Sequence, residues 1–133
     1  MSDESMGAPT ILVADDDPDL VALVARRLVK AGYRVVTASD GEEALQQARQ
    51  LGPQLAVLDV MMPKLSGIEV ARRLRASAGT QHIPVILVSA GLPGELVGQS
   101  IPADVDAFIS KPFSPRSIPN MVEEVLARPH QVG

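Results

Sequence analysis

The 133-residue sequence has no cysteine and no tryptophan, and one tyrosine and two phenylalanines bring its aromatics to only 2%. Without cysteine there is no disulfide, no thiolate metal site and no cysteine nucleophile. With so few aromatics the core must be aliphatic. Two histidines, His82 and His130, are too few for a His-rich metal site. No apolar run approaches the roughly 18 residues of a membrane-spanning helix, so no membrane is expected as a partner. The opening residues Met1-Ser2-Asp3-Glu4-Ser5 are acidic and polar, where a secretory leader would be basic and then apolar. A cytoplasmic location is therefore expected. A basic tail is also missing and the net charge is -4. Arg26-Arg27 and Arg72-Arg73-Arg75 fall inside helical patterns and read as solvated faces. Direct nucleic-acid binding is not expected.

What remains is a globular composition, 46% apolar and 21% charged, of a length that suits one domain. The domain is expected over residues 10–127, with 1–9 and 128–133 as flexible termini. Short apolar runs alternate with amphipathic stretches. Strands are expected at 10–14, 34–37, 54–58, 83–88 and 106–109. The runs 55–58 and 85–88 are apolar throughout, as in strands buried on both faces of a parallel sheet. Helix signals lie between them. Asp17 can cap a helix that begins at Pro18, and Gly32 can end it. Asp40 and Glu43 have capping-box spacing, as do Ser66 and Glu69. The last helix spans about 115–127, either kinked at Pro119 or starting later, at Ser117. Residues 91–104 hold Pro93, Gly94, Gly98 and Pro102 and predict a short or irregular helix. The alternation argues for an α/β fold, (βα)5, with a doubly wound parallel sheet of five strands.

The ends of the strands carry the chemistry. Asp15-Asp16 follow the first, Asp59 ends the third, Ser89 follows the fourth and Lys111-Pro112 the fifth. In open α/β sheets ligands bind at these carboxyl ends. Three converging carboxylates repel one another, and a hard divalent cation such as Mg²⁺ resolves the repulsion. With a hydroxyl and a lysine beside it, the site suits a dianionic group, and phosphoryl transfer to Asp59 fits. Asp15, Asp17 and Asp19 imitate the first ligands of a calcium loop, but Leu20 and Arg26 stand where it needs glycine and glutamate. A glycine-rich nucleotide loop is also ruled out, because acids occupy the first turn.

In combination these motifs resemble the response-regulator receiver domain of bacterial two-component signalling: Asp15-Asp16, Asp59 with Met62-Pro63 and Gly67, Ser89-Ala90, and Lys111-Pro112-Phe113. The resemblance covers residues 10 to 127. It implies a CheY-like, flavodoxin-like sheet of order 2-1-3-4-5, and a phospho-accepting signalling module with no enzyme activity beyond its own phosphorylation and dephosphorylation. Asp59 matches the phospho-acceptor. Asp16 matches the direct Mg²⁺ ligand, Asp15 the ligand acting through water, and the backbone carbonyl of Met61 the third. Ser89 matches the switch hydroxyl, Phe108 the aromatic switch, and Lys111 the site lysine, whose bond to Pro112 is expected to be cis. The implied partners are a histidine kinase or phosphotransfer protein, and a downstream protein reached through the fourth helix, fifth strand and fifth helix. A homodimer is among the allowed assemblies. The runner-up is a haloacid-dehalogenase-like phosphatase, with Asp15 as nucleophile and Asp17 as acid/base. That reading leaves Asp59 without a job. A degenerate receiver that works without phosphorylation is a further alternative.

Overall fold

A computed structural model of the chain describes residues 7–90, 105–114 and 116–128. The elements run β1 (Thr10–Ala14), α1 (Pro18–Lys30), β2 (Arg34–Ala38), α2 (Gly41–Leu51), β3 (Leu55–Asp59), α3 (Gly67–Arg75), β4 (Val85–Ser89), β5 (Ala107–Ser110) and α4 (Ser117–Ala127). All five strands are parallel, in the order β2-β1-β3-β4-β5. The fold is α/β and flavodoxin-like, as expected. The chain winds outward from β1 to β2, then crosses back to β3. The carboxyl ends of β1 and β3 therefore flank the switch point where such sheets form a crevice.

Every residue of β3 and β4 is buried, which accounts for their unbroken apolar runs. Strand alternation divides the aliphatic core in two. Leu12, Ala56, Leu58 and Leu87 face α2 and α3, and meet Ala44, Leu45, Val70 and Leu74. Ile11, Val13, Val57 and Ile86 face α1 and α4, and meet Val24, Leu28, Ile118 and Val122.

The helix ends follow the sequence signals closely. The Asp17 carboxylate accepts the N–H groups of Asp19 and Leu20 at 3.0 and 3.3 Å. Asp40 Oδ1 accepts the Glu43 N–H at 2.8 Å, and Ser66 Oγ the Glu69 N–H at 3.1 Å. The capping box of α2 is displaced by one residue: Glu43 Oε1 reaches back to the N–H of Ser39 at 2.8 Å, not to that of Asp40. Gly52 ends α2 at φ 56°, the left-handed conformation that glycine adopts without a Cβ penalty.

Of the two starts allowed for the last helix the structure takes the later, at Ser117, with Arg116 at the cap position and no side-chain cap hydrogen bond. Pro119 is then its third residue, where the N–H has no partner within the helix, so proline removes no bond and forces no kink. The boundaries of β3, β4 and β5 shift toward the carboxyl side by one or two residues, so that Asp59 and Ser89 become the last strand residues. The irregular helix expected over 91–104 lies outside the described residues, as do most of the flexible termini expected at 1–9 and 128–133.

Candidate phospho-acceptor site

Two strands and two turns bring the expected residues together. Asp59 is carried by β3, Asp15 and Asp16 by the turn after β1, and Lys111 by the turn after β5. A carboxylate oxygen from each of Asp15, Asp16 and Asp59 lies within 4.8 Å of the others. Asp59 and Asp15 are buried, at 4% and 6% exposure, whereas Asp16 is exposed. Ser89, 4% exposed, ends β4 next to β3, and its carbonyl accepts the Lys111 N–H at 2.7 Å. The Lys111–Pro112 bond is cis, as expected.

Lys111 holds the acids together. Its Nζ donates to Asp15 Oδ2 at 3.1 Å and stands 3.2 Å from Asp59 Oδ1. Asp15 is fully engaged, because its Oδ1 also accepts the Asp17 N–H at 3.0 Å. Asp59 is not. Lys111 approaches Asp59 Oδ1 off the geometry of a hydrogen bond, and this buried oxygen receives none. Burial and then the Asp15 carboxylate raise the Asp59 pKa, and the Lys111 ammonium only partly offsets them. Burial pulls the Lys111 pKa down, but its hydrogen bond to Asp15 and the nearby Asp59 carboxylate outweigh this, and the net shift is upward.

A buried carboxylate oxygen without a donor, inside a cluster of three acids, suits a hard cation. One ammonium cannot neutralise three carboxylates, so the donor set leaves a net negative charge at the crevice. The residues present therefore fit a divalent ion of the Mg²⁺ type.

The other expected residues fall nearby or at a distance. Met61 stands two residues past Asp59 and is 72% exposed, while Met62 packs against the core. Phe108 is half-buried on β5 and packs toward the α2 and α3 side. Gly67 is drawn against the acceptor itself: its N–H donates to the Val60 carbonyl at 3.0 Å, and a Cβ there would lie 2.3 Å from the backbone oxygen of Asp59. That contact is the physical reason for a glycine at this motif position.

At the opposite edge of the sheet one expectation fails. Arg72 and Arg73 pair with Glu69 on the exposed face of α3, as a solvated helix would. Arg75 does not belong to that face. It donates to the carbonyls of Gln81 and Ile83, and to Asp106 Oδ2 at 3.1 Å. The same Asp106 oxygen accepts the Val85 N–H at 2.8 Å. Helical periodicity could not separate Arg75 from its neighbours, because its partners lie across a loop.

Comparison with known proteins agrees with this geometry. The profile of the response regulator receiver domain matches residues 11–123. The alkaline phosphatase synthesis transcriptional regulatory protein PhoP of Bacillus subtilis is 42% identical over 120 residues, 89% of this chain and 48% of the relative. The DNA-binding dual master transcriptional regulator RpaA of Synechocystis is 40% identical over 120 residues, 90% of this chain and 47% of the relative. The chain thus spans about half the length of the curated relatives it matches. Both relatives are named as transcriptional regulators, RpaA as DNA-binding, which stands against the expectation that nucleic acid is not a partner. Among solved structures, a receiver domain of a signal transduction histidine kinase from Syntrophus aciditrophicus superposes with TM-score 0.82 at 27% identity, covering 95% of this chain and 98% of that one. A CheY-like receiver domain protein from Methanospirillum hungatei gives TM-score 0.81 at 27% identity, covering 90% and 94%. The sheet order, the acids at the switch point and the sequence matches lead to one conclusion: this chain belongs to the response regulator receiver family, the phospho-accepting modules of two-component signalling.

Proposed function

We propose that residues 10–127 form one receiver domain in which Asp59 accepts a phosphoryl group from a histidine kinase or phosphotransfer protein. The observation that carries this reading is the asymmetry between the two buried acids. Both oxygens of Asp15 are engaged, whereas Asp59 Oδ1 lacks a hydrogen-bond donor. The less tied of the two acids is the one whose carboxylate is free to act as the nucleophile. The same asymmetry argues against the phosphatase alternative. Its nucleophile would be the tied Asp15, and its acid/base would be Asp17, whose carboxylate caps α1.

In the proposed reaction Asp59 attacks in line. A P–O bond forms as the P–N bond of the donor phosphohistidine breaks, and the imidazole leaves with the bonding pair. Lys111 neutralises charge on the transferred group. Ser89, buried at the end of β4, donates its hydroxyl to a phosphoryl oxygen. Asp15 and Asp16, with Asp59 and the Met61 carbonyl, would hold Mg²⁺. When bound, that ion supplies charge neutralisation at the phosphoryl oxygens. Water later cleaves the aspartyl phosphate, and self-phosphorylation and self-dephosphorylation are the whole of the proposed catalysis.

Phosphorylation then draws Ser89 inward and Phe108 after it. This reshapes the face that carries β5 and α4, where a downstream protein or a second copy of the chain docks. A two-state element biased by added charge suffices. We assign the domain to the cytoplasm, where kinases with access to ATP reside. Net charge -4 favours protein contact over nucleic acid as this domain's own mode of output. By similarity to PhoP and RpaA, the process controlled is transcription.

Intact mass after incubation with Mg²⁺ and acetyl phosphate tests the acceptor. Wild type and Asp15→Asn are compared with Asp59→Asn. A phosphate adduct in wild type that disappears with Asp59→Asn supports the reading, and Asp15→Asn, which removes a metal-holding acid, is expected to weaken labelling without moving its position. An adduct that survives Asp59→Asn and vanishes with Asp15→Asn overturns it in favour of the phosphatase chemistry.

A further inference from the structure

The loop after β3 leaves the acceptor at Val60 and returns to it at Gly67, where the Gly67 N–H donates to the Val60 carbonyl at 3.0 Å. Its base is fastened to the sheet by the Val60 N–H, which donates to the Val88 carbonyl at 2.8 Å. The crown of the loop is held from elsewhere. The Gly41 N–H, at the first residue of α2, donates to the Pro63 carbonyl at 3.2 Å. Pro63 O also takes the Leu65 N–H at 2.8 Å. Lys64, between these two, is held in the left-handed region at φ 74° and stands with its Nζ 3.7 Å from Asp40 Oδ2. Asp40 is the cap of the same helix. The approach of loop to helix leaves no room for a side chain: a Cβ on Gly41 would lie 2.0 Å from Leu65 O, 2.6 Å from Leu65 Cβ and 2.7 Å from Leu65 C. The atoms in the way are largely backbone, which cannot rotate aside.

We propose that Gly41 is a positioning residue for the metal site: by seating Pro63–Leu65 against the start of α2, it sets where the Met61 carbonyl points. The inference rests on the reading of Met61 as a carbonyl ligand. α2 is fixed by its buried Ala44, Leu45 and Ala48, and the loop by its fastening at Val60 and Gly67. The part that yields to an added methyl group is therefore the stretch from Met61 to Leu65. Mg²⁺ demands near-octahedral geometry with short metal–oxygen distances, so a small displacement of one carbonyl weakens it strongly. Residues that orient ligands from outside commonly govern about 10-fold or more of metal affinity. Sequence proximity does not show this role, because Gly41 precedes the acceptor by a whole helix and strand.

The test is titration calorimetry with MgCl2 on the whole chain. Gly41→Ala is expected to weaken Mg²⁺ about tenfold. Gly52→Ala, at the other end of α2, is the control for lost stability. It is strained at φ 56°, but its Cβ meets nothing within 4 Å, so its affinity is expected to match wild type. Lys64→Gly serves if Gly41→Ala does not fold. It removes the Asp40 tie and lets the crown take either sign of φ, and is expected to weaken Mg²⁺ about threefold while the melting temperature stays within a few degrees. A change in affinity without loss of stability would not arise from a merely structural role. Wild-type affinity in both Gly41→Ala and Lys64→Gly overturns the inference while leaving the metal site intact. Wild-type protein that binds no Mg²⁺ overturns the metal reading itself, and this inference with it.

Discussion

At Asp59, burial and the neighbouring Asp15 both favour the protonated carboxyl, and Lys111 opposes them without prevailing. The sign of the stability effect follows. A group whose folded pKa is raised contributes stability below the ordinary carboxylate range, and loses it as pH rises through the raised value. In the metal-free protein the Asp59 charge at neutral pH is therefore a destabilising feature. Asp59→Asn is expected to raise the metal-free melting temperature at pH 7 by about 4 °C, the worth of roughly 1 kcal/mol at this size, and the gain should shrink as pH falls toward the carboxylate range. Thermal unfolding at several pH values without Mg²⁺ measures it. A drop in melting temperature at pH 7 would mean that the ion pair with Lys111 outweighs burial. Protons and Mg²⁺ also compete for the same oxygens, so wild-type Mg²⁺ affinity should fall as pH is lowered through the raised Asp59 pKa. The residue identities at this site were legible in the sequence because each stands next to an apolar strand run, and strand ends converge. The orphaned Asp59 oxygen was not, since it depends on the angle at which Lys111 arrives from the far side of β4.

Among the elements, the edge opposite the site shows what periodicity conceals. Arg75 and Asp106 tie the end of α3 to the starts of β4 and β5, through the Ile83 carbonyl and the Val85 N–H. Removing the acid would leave the part-buried Val85 N–H without its acceptor and take from Arg75 its one carboxylate partner among the described residues. Asp106→Ala is expected to cost about 2 kcal/mol in urea unfolding while leaving phosphorylation by acetyl phosphate near wild type, because the change lies at the amino ends of the strands. An equal loss of labelling would show that the two edges of the sheet are coupled. The caps of the first three helices, by contrast, were readable almost to the residue. Their chemistry is local, so Asp17, Asp40 and Ser66 needed only the next few N–H groups to act. Pro119 was ambiguous because proline is excluded from helix interiors yet welcome in a first turn, and only the position of Ser117 as first residue decides between these. Gly41 and Gly67 were visible as glycines, but the reason each must be one lies in a loop or strand that the local pattern does not mention.

In the molecule as a whole, an aliphatic core is split by a central sheet into two compartments with different helical lids. Among the described residues, the buried side chains on the two surfaces of β1, β3 and β4 fall into separate clusters. Ile83→Val on the α3 side and Ile118→Val on the α4 side should each cost about 0.5–1.5 kcal/mol, and the double variant should equal their sum within about 0.5 kcal/mol. Chemical unfolding of the four proteins reads this directly, and a larger discrepancy would reveal a shared relaxation through the strands. Separate compartments also bear on descent. Lineages can exchange methyl groups beneath α2 and α3 without renegotiating the packing beneath α1 and α4. Drift on one side of the sheet then leaves the other side's inherited solution standing, and the acids at the carboxyl edge, held by backbone that both sides share, stay where they are.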